Sequence, residues 1–573
     1  MKADDYIARF LATQGVGEVF EVVGGMIVRI LDSLARHDEV GIVSCHHEQG
    51  AAFAAEGRAR ATGVPGVAMA TSGPGAINLL TGLGSCHFDS VPAVFITGQV
   101  NRHEQKADRP IRQLGFQETD IVAMAAPIVK AAWRVREADE LPGILADAFR
   151  LARSGRPGPV LVDVPMDVQG AEVDALLPDG PLALPDHDLG VDGIEEILDD
   201  LAAAERPLLL VGGGVNAGQA RAEMVELAEA VGVPVVHSLM AVDVLPSGHP
   251  LRVGFIGTYG NRWANHALAE ADCLLILGSR LDIRQTGADV DAFRGERTIH
   301  HVDVDPGELN NRISGVRAVT ADLAPFLRAA ALVARERGAA GRREDWLEHI
   351  SEMRERWEDT QELRDVPGIN PNRFMHQLSA DVVPSAYVVD VGQHQMWAAQ
   401  SLELATGTRF ITSGGMGAMG CGLPMAVGAS FGAPGTPVVL IAGDGSFQLN
   451  IQELQTVARN RLPIKMVVLD NGTHGMVRQF QETYFDGRYQ STVDGYSAPD
   501  FARVARAYDI AAAYVEDPDA VPDALAELWR DPTEPFLLRV AVELTANAYP
   551  KIAFGRPMPD MEPLAKPIGL EST

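Results

Sequence analysis

Short apolar runs alternate with stretches of helical spacing along most of this chain. In the first part of the chain, the runs are bounded by Gly, Pro and polar residues, and segments with helical patterns separate them. This alternation is typical of a parallel α/β sheet, in which each buried strand is followed by a helix that crosses back over the sheet. The predicted strands of this part lie at 42–45, 66–70, 93–98 and 159–165.

The same alternation occurs twice more. A Pro-, Asp- and Gly-rich stretch at 176–190 predicts a linker, and a charged helical stretch at 342–365 precedes the third segment. The predicted strands of the middle segment lie at 207–214, 234–238, 273–278 and 300–305. We therefore predict an α/β fold with three doubly wound parallel-sheet domains, at residues 1–170, 190–335 and 365–550.

The most informative stretch of the third segment is a strand–helix–strand pattern. Apolar runs at 437–441 and 464–469 flank IQELQTVARN, whose apolar residues repeat as on one helical face. Lengths of this kind predict a right-handed βαβ unit. Asp444 and Asn471 then fall at the carboxyl ends of two parallel strands, where open α/β sheets bind ligands.

These two residues carry chemistry that suits a metal and a phosphate. A carboxylate, a carboxamide and exposed backbone carbonyls are hard oxygen ligands for Mg²⁺, which keeps other positions for phosphates. Gly443 and Gly445 let the backbone approach a diphosphate and present N–H groups to it. A lone GDG is only a turn signal, and a lone Asn after a strand is usually a turn residue. The complete spacing from GDGSF to LDN is much more specific.

That complete stretch resembles the thiamin diphosphate (ThDP) and Mg²⁺ binding motif of the ThDP enzymes. The resemblance implies that Asp444 and Asn471 bind Mg²⁺ through their side chains, with Thr473 as a backbone carbonyl ligand. By the same resemblance, Gly443, Gly445 and Ser446 border the diphosphate.

Glu48 starts a helical stretch directly after a predicted strand. An acid in a first helical turn is ordinarily no more than favourable with the helix dipole. Here the surrounding HEQGAAFAAEG resembles the ThDP-enzyme motif that supplies the catalytic carboxylate. The resemblance implies that Glu48 bonds to N1′ of the cofactor's aminopyrimidine and controls its tautomer, which allows the C2 proton to be removed.

Two further stretches, VGQHQMWAAQ and TSGGMGAMGCGLP, resemble the acetolactate synthase branch of the ThDP enzymes. By this resemblance Gln393 and His394 contact the diphosphate, while Gly417 and Met419 hold the aminopyrimidine. TSGPGAINLLTGL, taken alone a structural turn, adds Gly73 and Asn78 as cofactor-binding residues, and GFQETDIV places Phe116 and Gln117 near the substrate. In this family the cofactor lies between the first domain of one subunit and the third domain of another, so a homodimer or homotetramer is implied.

The middle segment allows two interpretations. VGGGVNAG matches G-x-G-x-x-G/A after a predicted strand, as in a nicotinamide-dependent dehydrogenase. Its neighbours, including GSRLDIRQTG and HVDVDP, resemble the FAD-binding domain of acetolactate synthases instead. That resemblance implies FAD, held through Gly213, Met240, Arg280 and Asp305.

The chain departs from the acetolactate synthase pattern near the expected substrate site. The segment 101–114 is longer and more charged than the usual loop, and Phe480 stands where the family usually has a Trp that selects the second 2-oxo acid. The implied function is ThDP- and Mg²⁺-dependent decarboxylation of a 2-oxo acid, pyruvate by default, with carboligation to a carbonyl acceptor. A carboligase for an aldehyde or keto sugar, a simple 2-oxo acid decarboxylase and a non-catalytic binding or regulatory subunit remain as alternatives.

Composition narrows the class of partner. With 48 basic and 77 acidic residues the formal net charge is −29, which argues against a nucleic-acid surface. No apolar stretch reaches the length of a membrane span, and MKADDYIARF has no signal-peptide pattern. The four cysteines form no CxxC pair or disulfide framework. We therefore expect a cytoplasmic enzyme with small-molecule substrates.

Overall fold

The computed structural model describes residues 1–184, 193–338 and 343–569. It contains three six-stranded sheets, and all neighbouring strands within each sheet are parallel. The predicted α/β class with three parallel-sheet units is therefore confirmed. Of the predicted linker, 176–184 contains neither helix nor strand, and 185–190 falls outside the described residues.

The first sheet has the strand order β2-β1-β3-β4-β6-β5. Its strands are β1 (Glu18–Val22), β2 (Gly41–Ser44), β3 (Gly66–Ala70), β4 (Ala93–Gln99), β5 (Ala131–Arg134) and β6 (Pro159–Pro165). The associated helices are α1 (Ala3–Thr13), α2 (Val28–His37), α3 (Glu48–Thr62), α4 (Pro74–Asn78), α5 (Leu80–Phe88), α6 (Ile121–Ala125), α7 (Leu141–Arg153) and α8 (Met166–Gln169). Every residue of β3, β4 and β6 is buried. The run of β3 is entirely apolar, and those of β4 and β6 are mainly apolar, with Thr97, Gln99 and Asp163 as buried polar residues, because helices cover both faces of the sheet.

The middle sheet has a different order, β12-β11-β10-β7-β8-β9, which is that of a dinucleotide-binding fold. Its strands are β7 (Pro207–Val211), β8 (Val235–His237), β9 (Arg252–Phe255), β10 (Cys273–Leu277), β11 (Thr298–Asp303) and β12 (Arg317–Thr320). The helices of this part are α9 (Ile194–Ala203), α10 (Gly214–Ala217), α11 (Arg221–Val231), α12 (Arg262–Glu270), α13 (Ile283–Thr286), α14 (Val290–Arg294) and α15 (Leu323–Glu336). The edge strands β9 and β12 are additions to the strands predicted from the sequence.

The third sheet, β14-β13-β15-β16-β18-β17, repeats the order of the first when each is numbered from its own first strand. Its strands are β13 (Ala386–Val389), β14 (Arg409–Thr412), β15 (Val438–Gly443), β16 (Ile464–Asp470), β17 (Ala511–Val515) and β18 (Phe536–Ala541). The helices are α16 (Glu344–Arg356), which precedes this sheet, α17 (Pro371–Ser379), α18 (Gln393–Ser401), α19 (Gly422–Gly432), α20 (Asp444–Phe447), α21 (Leu454–Asn460), α22 (Gly475–Tyr484), α23 (Phe501–Ala507) and α24 (Val521–Leu528). A short antiparallel pair, β19 (Lys551–Ile552) and β20 (Met561–Glu562), follows.

Two predicted helices are shorter than expected. The helix predicted over IQELQTVARN begins as a 3₁₀ segment, Gln448–Glu453, with non-helical angles at Asn450, and continues as α21. The charged stretch predicted at 342–365 forms α16 only to Arg356. The other 3₁₀ segments are Arg102–Glu104, Ala126–Ile128, Ala138–Glu140, Leu239–Ala241, Asp359–Gln361 and Pro518–Ala520. Within the described ranges, no helix is both long and apolar enough to cross a bilayer.

Helices α3 and α19 join the first sheet to the third by a close crossing. A Cβ atom at Gly57 of α3 would lie 2.1 Å from the carbonyl oxygen of Met425 in α19. A Cβ atom at Gly428 of α19 would lie 1.8 Å from the carbonyl oxygen of Ala54 in α3. Both separations are far shorter than a carbon–oxygen contact, so the two backbones meet where only glycine fits. One hydrophobic core runs through this crossing and contains side chains from both sheets.

Candidate active site

The sequence-predicted residues of the third segment meet at the carboxyl end of its sheet. The strand order reverses between β13 and β15, and a crevice at such a point is where doubly wound sheets bind ligands. Asp444 begins α20 directly after β15, and Asn471 follows the neighbouring strand β16. Gln393 and His394 begin α18, which follows β13.

Asp444 is a buried carboxylate, with 2% of its surface exposed. Its Oδ2 accepts a hydrogen bond from the hydroxyl of Tyr496 at 2.8 Å. Burial raises the pKa of this carboxyl to about 7. Among the described residues no cationic side chain pairs with it, so its ionised form is costly until a cation is near.

Asn471 faces the same crevice with its amide fixed by a neighbour. Its Nδ2 donates to Oε1 of Gln393 at 3.1 Å, which leaves Oδ1 as the acceptor end of the side chain. That Oδ1 receives a long bond of 3.3 Å from the backbone N–H of Thr473. The Thr473 carbonyl accepts from the N–H of Gly475 at 2.9 Å and keeps a second lone pair.

These donors fit Mg²⁺ better than a softer metal. The described ranges contain no group of three or more His, Cys, Asp or Glu side chains arranged for a metal. A cation beside Asp444 and Asn471 would instead take one carboxylate, one amide oxygen and a backbone carbonyl. That incomplete set of hard oxygens suits an ion that fills its remaining positions with phosphate oxygens and water.

Glycines keep the floor of this crevice free of side chains. A Cβ atom at Gly443 would lie 2.9 Å from Nδ1 of His394, and one at Gly445 would lie 2.7 Å from Cε1 of His474. The N–H of Gly443 donates to the Ser446 hydroxyl at 3.1 Å, which stabilises the turn into α20. The backbone can therefore approach a diphosphate closely at this turn.

His394 has an unpartnered polar atom inside the crevice. The residue is buried, and Nε2 of its ring has no hydrogen-bond partner. Burial lowers its pKa to about 3, so the ring is neutral at physiological pH. A buried ring nitrogen without a partner costs free energy, which a polar ligand atom in the crevice would remove.

The loop before α19 is held from below by one carboxylate. Asp390, which is buried after β13, accepts from the N–H groups of Gly420 at 2.9 Å and Gly422 at 2.8 Å. Gly417 has a φ of +67°, a conformation that favours glycine. Met419 exposes 38% of its surface at the top of this loop.

Glu48 belongs to a second group, on the first sheet. It is half-buried at the start of α3, and its Oε2 accepts from Nδ2 of Asn78 at 2.9 Å. A Cβ atom at Gly75 would lie 3.2 Å from Oε1 of Glu48, so glycine keeps space beside the carboxylate. Gly73, with a φ of +68°, packs against Gln117: a Cβ atom there would be 2.9 Å from that of Gln117.

A bond near Glu48 reaches the third unit but not the Asp444 group: the N–H of His46 donates to Oε1 of Glu453 at 3.0 Å. Among the described residues, no hydrogen bond or ion pair links Glu48 or Asn78 to Asp444 or Asn471. Apolar side chains beside both groups are exposed: Phe116 by 79% and Phe480, on α22, by 43%. The ring of Phe480 packs against Tyr484, with centroids 4.8 Å apart.

A third set of predicted residues lines a cavity at the switch point of the middle sheet. This cavity of about 450 Å³ is bordered by Gly213, Met240 and Arg280, and also by side chains from the first and third sheets. Asp305 is not among its described lining residues: its carboxylate lies 3.3 Å from the guanidinium of Arg156, which does line the cavity.

The first glycine of the G-x-G pattern has a structural reason of its own. A Cβ atom at Gly212 would lie 2.1 Å from the carbonyl oxygen of Gly278, so the pattern allows the turns after β7 and β10 to pack. Sequence reasoning missed Asp390 and Tyr496, two residues that support the crevice. Asp390 directly precedes VGQHQ, and an acidic residue at the end of a predicted parallel strand could have been recognised as a candidate site residue. Tyr496 lies in an irregular loop without a motif.

Family models match all three parts of the chain. They are the N-terminal TPP binding domain of thiamine pyrophosphate enzymes at residues 1–124, the central domain at 194–330 and the C-terminal TPP binding domain at 390–540. Together these matches cover most of the sequence, in the order predicted for the pyrimidine-binding, central and diphosphate-binding segments.

Curated relatives match over nearly the whole length. The chain is 39% identical to the acetolactate synthase isozyme 2 large subunit of Escherichia coli (strain K12), over 97% of this chain and 98% of that protein. It is 38% identical to an acetolactate synthase of Arthrospira platensis, over 96% of both chains. It is 39% identical to the acetolactate synthase large subunit of Parasynechococcus marenigrum (strain WH8102), over 95% of this chain and 88% of that one. The chain therefore belongs to the thiamine pyrophosphate enzymes, in the family of acetolactate synthase large subunits.

Proposed function

We propose that this protein decarboxylates pyruvate with ThDP and Mg²⁺ and joins the remaining two carbons to a carbonyl acceptor, a reaction that with a second pyruvate would form the acetolactate for which its relatives are named. The observation that carries the proposal is the buried Asp444 beside Asn471 at a strand-order reversal, in a chain that matches these relatives end to end. A simple decarboxylase is less favoured because the relatives are acetolactate synthases, and a non-catalytic subunit is less favoured because the chain retains Glu48 and a crevice suited to the cofactor.

The proposed site residues fall into two groups: those that would hold the cofactor and metal, and Glu48, which would exchange a proton with the cofactor. When bound, ThDP supplies a nucleophilic carbon and an electron sink. Asp444, Asn471 and the carbonyl of Thr473 would hold Mg²⁺ against the diphosphate. Gln393, His394 and the N–H groups of 443–446 would bind the diphosphate oxygens, while Gly417 and Met419 would contact the aminopyrimidine. Glu48 would share a proton with N1′ of the aminopyrimidine, the one acid–base task that the family resemblance assigns to a side chain.

The overall reaction breaks one carbon–carbon bond and makes another. The bond from C1 to C2 of pyruvate breaks as CO₂ leaves, and its electron pair then forms the bond to the carbonyl carbon of the acceptor. The acceptor oxygen gains a proton, so the product is a 2-hydroxy ketone. With a second pyruvate as acceptor, the product is 2-acetolactate. Phe116, Gln117 and Phe480 are the proposed walls of the acceptor site.

Mass spectrometry of products tests this assignment. Pyruvate alone should give CO₂ and 2-acetolactate in a ratio of about one to one, as the balance of a carboligation requires. Paired incubations with a second 2-oxo acid, an aldehyde or a keto sugar identify the preferred acceptor. Acetaldehyde as the main product, at every acceptor concentration, would contradict carboligation.

We also propose that the complete site forms between two copies of the chain, in a homodimer or homotetramer. Supporting this, no hydrogen bond or ion pair among the described residues joins the Glu48 and Asp444 groups, and the rings of Phe116 and Phe480 are exposed. Aromatic side chains are enriched where two protein chains meet. Sedimentation equilibrium measures the assembly, and a monomer that retains full activity would contradict the proposal.

For the middle unit we propose FAD rather than NAD as the ligand of the central cavity, with Gly213, Met240 and Arg280 in its wall and Asp305 behind Arg156. The proposed domain limits remain 1–170, 190–335 and 365–550. Absorption at about 450 nm that leaves the protein fraction when the protein is denatured and filtered would identify the flavin. Reduction of added NAD by a hydroxy acid would support the dehydrogenase interpretation instead.

A further inference from the structure

The loop between α22 and α23 returns to the proposed metal ligands at two points. At its far end, the hydroxyl of Tyr496 donates to Oδ2 of Asp444 at 2.8 Å. Further back, the carbonyl of Thr492 accepts from the hydroxyl of Thr473 at 2.7 Å. We call residues 489–496 the strap. It therefore contacts both strand ends from which the metal ligands come.

The strap is itself anchored to α22. Thr492 is buried, and its hydroxyl donates to Oε1 of Gln481. Nε2 of Gln481 in turn donates to the carbonyl of Gln490 at 2.9 Å. Because these bonds hold the strap against a helix, the position of Tyr496 is defined by the fold rather than by a free loop.

The ring of Tyr496 is also held from the side. It packs edge-on against the ring of His474, with the centroids 4.6 Å apart. His474 lies directly after Thr473, and its N–H donates to the carbonyl of Thr492 at 3.2 Å. The ring contact and the hydroxyl bond together hold Tyr496 between His474 and Asp444.

A bond to one oxygen restrains the orientation of the whole carboxylate. The Tyr496 hydroxyl holds Oδ2 of Asp444, and the carboxylate keeps further lone pairs for a cation. Partners that orient a metal ligand in this way tune metal affinity almost as strongly as the ligands do.

We propose that Tyr496 is a positioning residue for the Mg²⁺ site, and that the strap holds the Asp444 carboxylate and the 471–473 turn in register for the metal. This inference rests on the proposed ThDP- and Mg²⁺-dependent function. Tyr496 touches neither substrate nor the reacting atoms in this role; it acts through Asp444.

The test compares two tyrosine hydroxyls of the same unit. Tyr496→Phe removes the bond to Asp444, and the control Tyr514→Phe removes a bond of 2.7 Å from an exposed tyrosine to Glu516. The full-length protein is freed of Mg²⁺ by chelation and dialysis, and Mg²⁺ is titrated in saturating ThDP while tryptophan fluorescence is followed. Mn²⁺, followed by electron paramagnetic resonance, is the second probe.

We expect Tyr496→Phe to weaken Mg²⁺ binding by about 10- to 100-fold, the effect usual when a residue that hydrogen-bonds to a metal ligand is lost. Saturating Mg²⁺ should restore ThDP affinity, and the melting temperature without metal should match that of Tyr514→Phe. Unchanged or tighter Mg²⁺ binding in Tyr496→Phe, or an equal loss in Tyr514→Phe, would overturn the inference. If the wild-type protein shows no Mg²⁺-dependent ThDP binding, the proposed function fails instead.

Discussion

The two halves of the proposed site differ in how completely one chain builds them. In the Asp444 half, Asp444 is buried. Its carboxylate, the Asn471 amide and the loop before α19 each form a hydrogen bond with a residue of another element. In the other half, Glu48 is half-buried, and the side-chain hydrogen bond described for it comes from Asn78.

This difference follows the tasks proposed for the two halves. A metal–diphosphate site must keep several oxygen atoms in a fixed geometry before the ligand arrives, which requires many supporting bonds. A carboxylate that exchanges a proton needs one orientation and access to its partner. The contrast predicts that substitutions in one half affect mainly affinity, while those in the other affect mainly turnover.

The largest expected effect is that of Glu48→Gln on turnover. The amide keeps the shape of the side chain but cannot share a proton with N1′ as a carboxyl does. We expect CO₂ release from pyruvate to fall by about 10²- to 10⁴-fold, the usual contribution of general acid–base catalysis. Mg²⁺ and ThDP affinity, measured by fluorescence titration, should change little. Exposed Glu39→Gln is the control, and full activity in Glu48→Gln would refute the assigned role.

Asp444→Ala should have the opposite signature. Removal of the single carboxylate among the proposed ligands should weaken Mg²⁺ binding by more than about 100-fold, because the other proposed donors are neutral oxygens. Partial activity should return at high Mg²⁺ and ThDP, which cannot happen in Glu48→Gln. If Mg²⁺ affinity stays at the wild-type value, the metal lies elsewhere.

Mixing these two inactive variants tests whether the halves come from different subunits. After subunit exchange, a heterodimer of Glu48→Gln and Asp444→Ala has one intact site if the halves come from different chains. A statistical mixture should then recover about a quarter of wild-type activity, since half of the dimers carry one working site. If both halves belong to one chain, every site stays defective and the mixture remains inactive.

The smallest expected effect concerns the bracing of the buried half. Burial raises the pKa of Asp390 to about 6 from its ordinary 3.8, against the lowering effect of its backbone N–H donors. The folded state therefore holds this proton more firmly than the unfolded state. The resulting stability is fully present below pH 3.8 and is lost as the pH rises through about 6.

Asp390→Asn should remove this pH dependence. The stability advantage of the wild type over the variant should shrink by up to about 3 kcal/mol between pH 4 and pH 7. Urea unfolding of the cofactor-free proteins at both pH values measures the difference. A constant gap across this range would show that Asp390 does not titrate there.

Much of the fold could be predicted because its strands are buried on both faces. The runs at 66–70 and 159–165 are apolar apart from Asp163, and they form strands as predicted. The edge strand β12 was missed because its sequence, RAVT, is largely exposed and carries no apolar period. The helix predicted over 451–460 begins instead in a 3₁₀ segment with non-helical angles at Asn450, because apolar periodicity does not distinguish the two kinds of helix.

The positions of two candidate site residues could be predicted because both residues follow the ends of strands. Asp444 and Asn471 lie after adjacent parallel strands, as the βαβ pattern predicts. Tyr496 could not be found in this way, because the strap returns to Asp444 from 52 residues away through irregular backbone. Contacts of this kind depend on tertiary packing, which local periodicity does not contain.

The close crossing of α3 and α19 at their glycines fixes the distance between two active centres of the proposed assembly. Glu48 begins α3, and the loop that carries Gly417 and Met419 ends where α19 begins. In the proposed assembly these two ends serve different catalytic centres, since each chain contributes one half to each. A methyl group at Gly57 would wedge the helices apart and displace both ends together. Because both centres depend on this one crossing, the added methyl group at Gly57 should misalign and impair both, although it lies far from either cofactor.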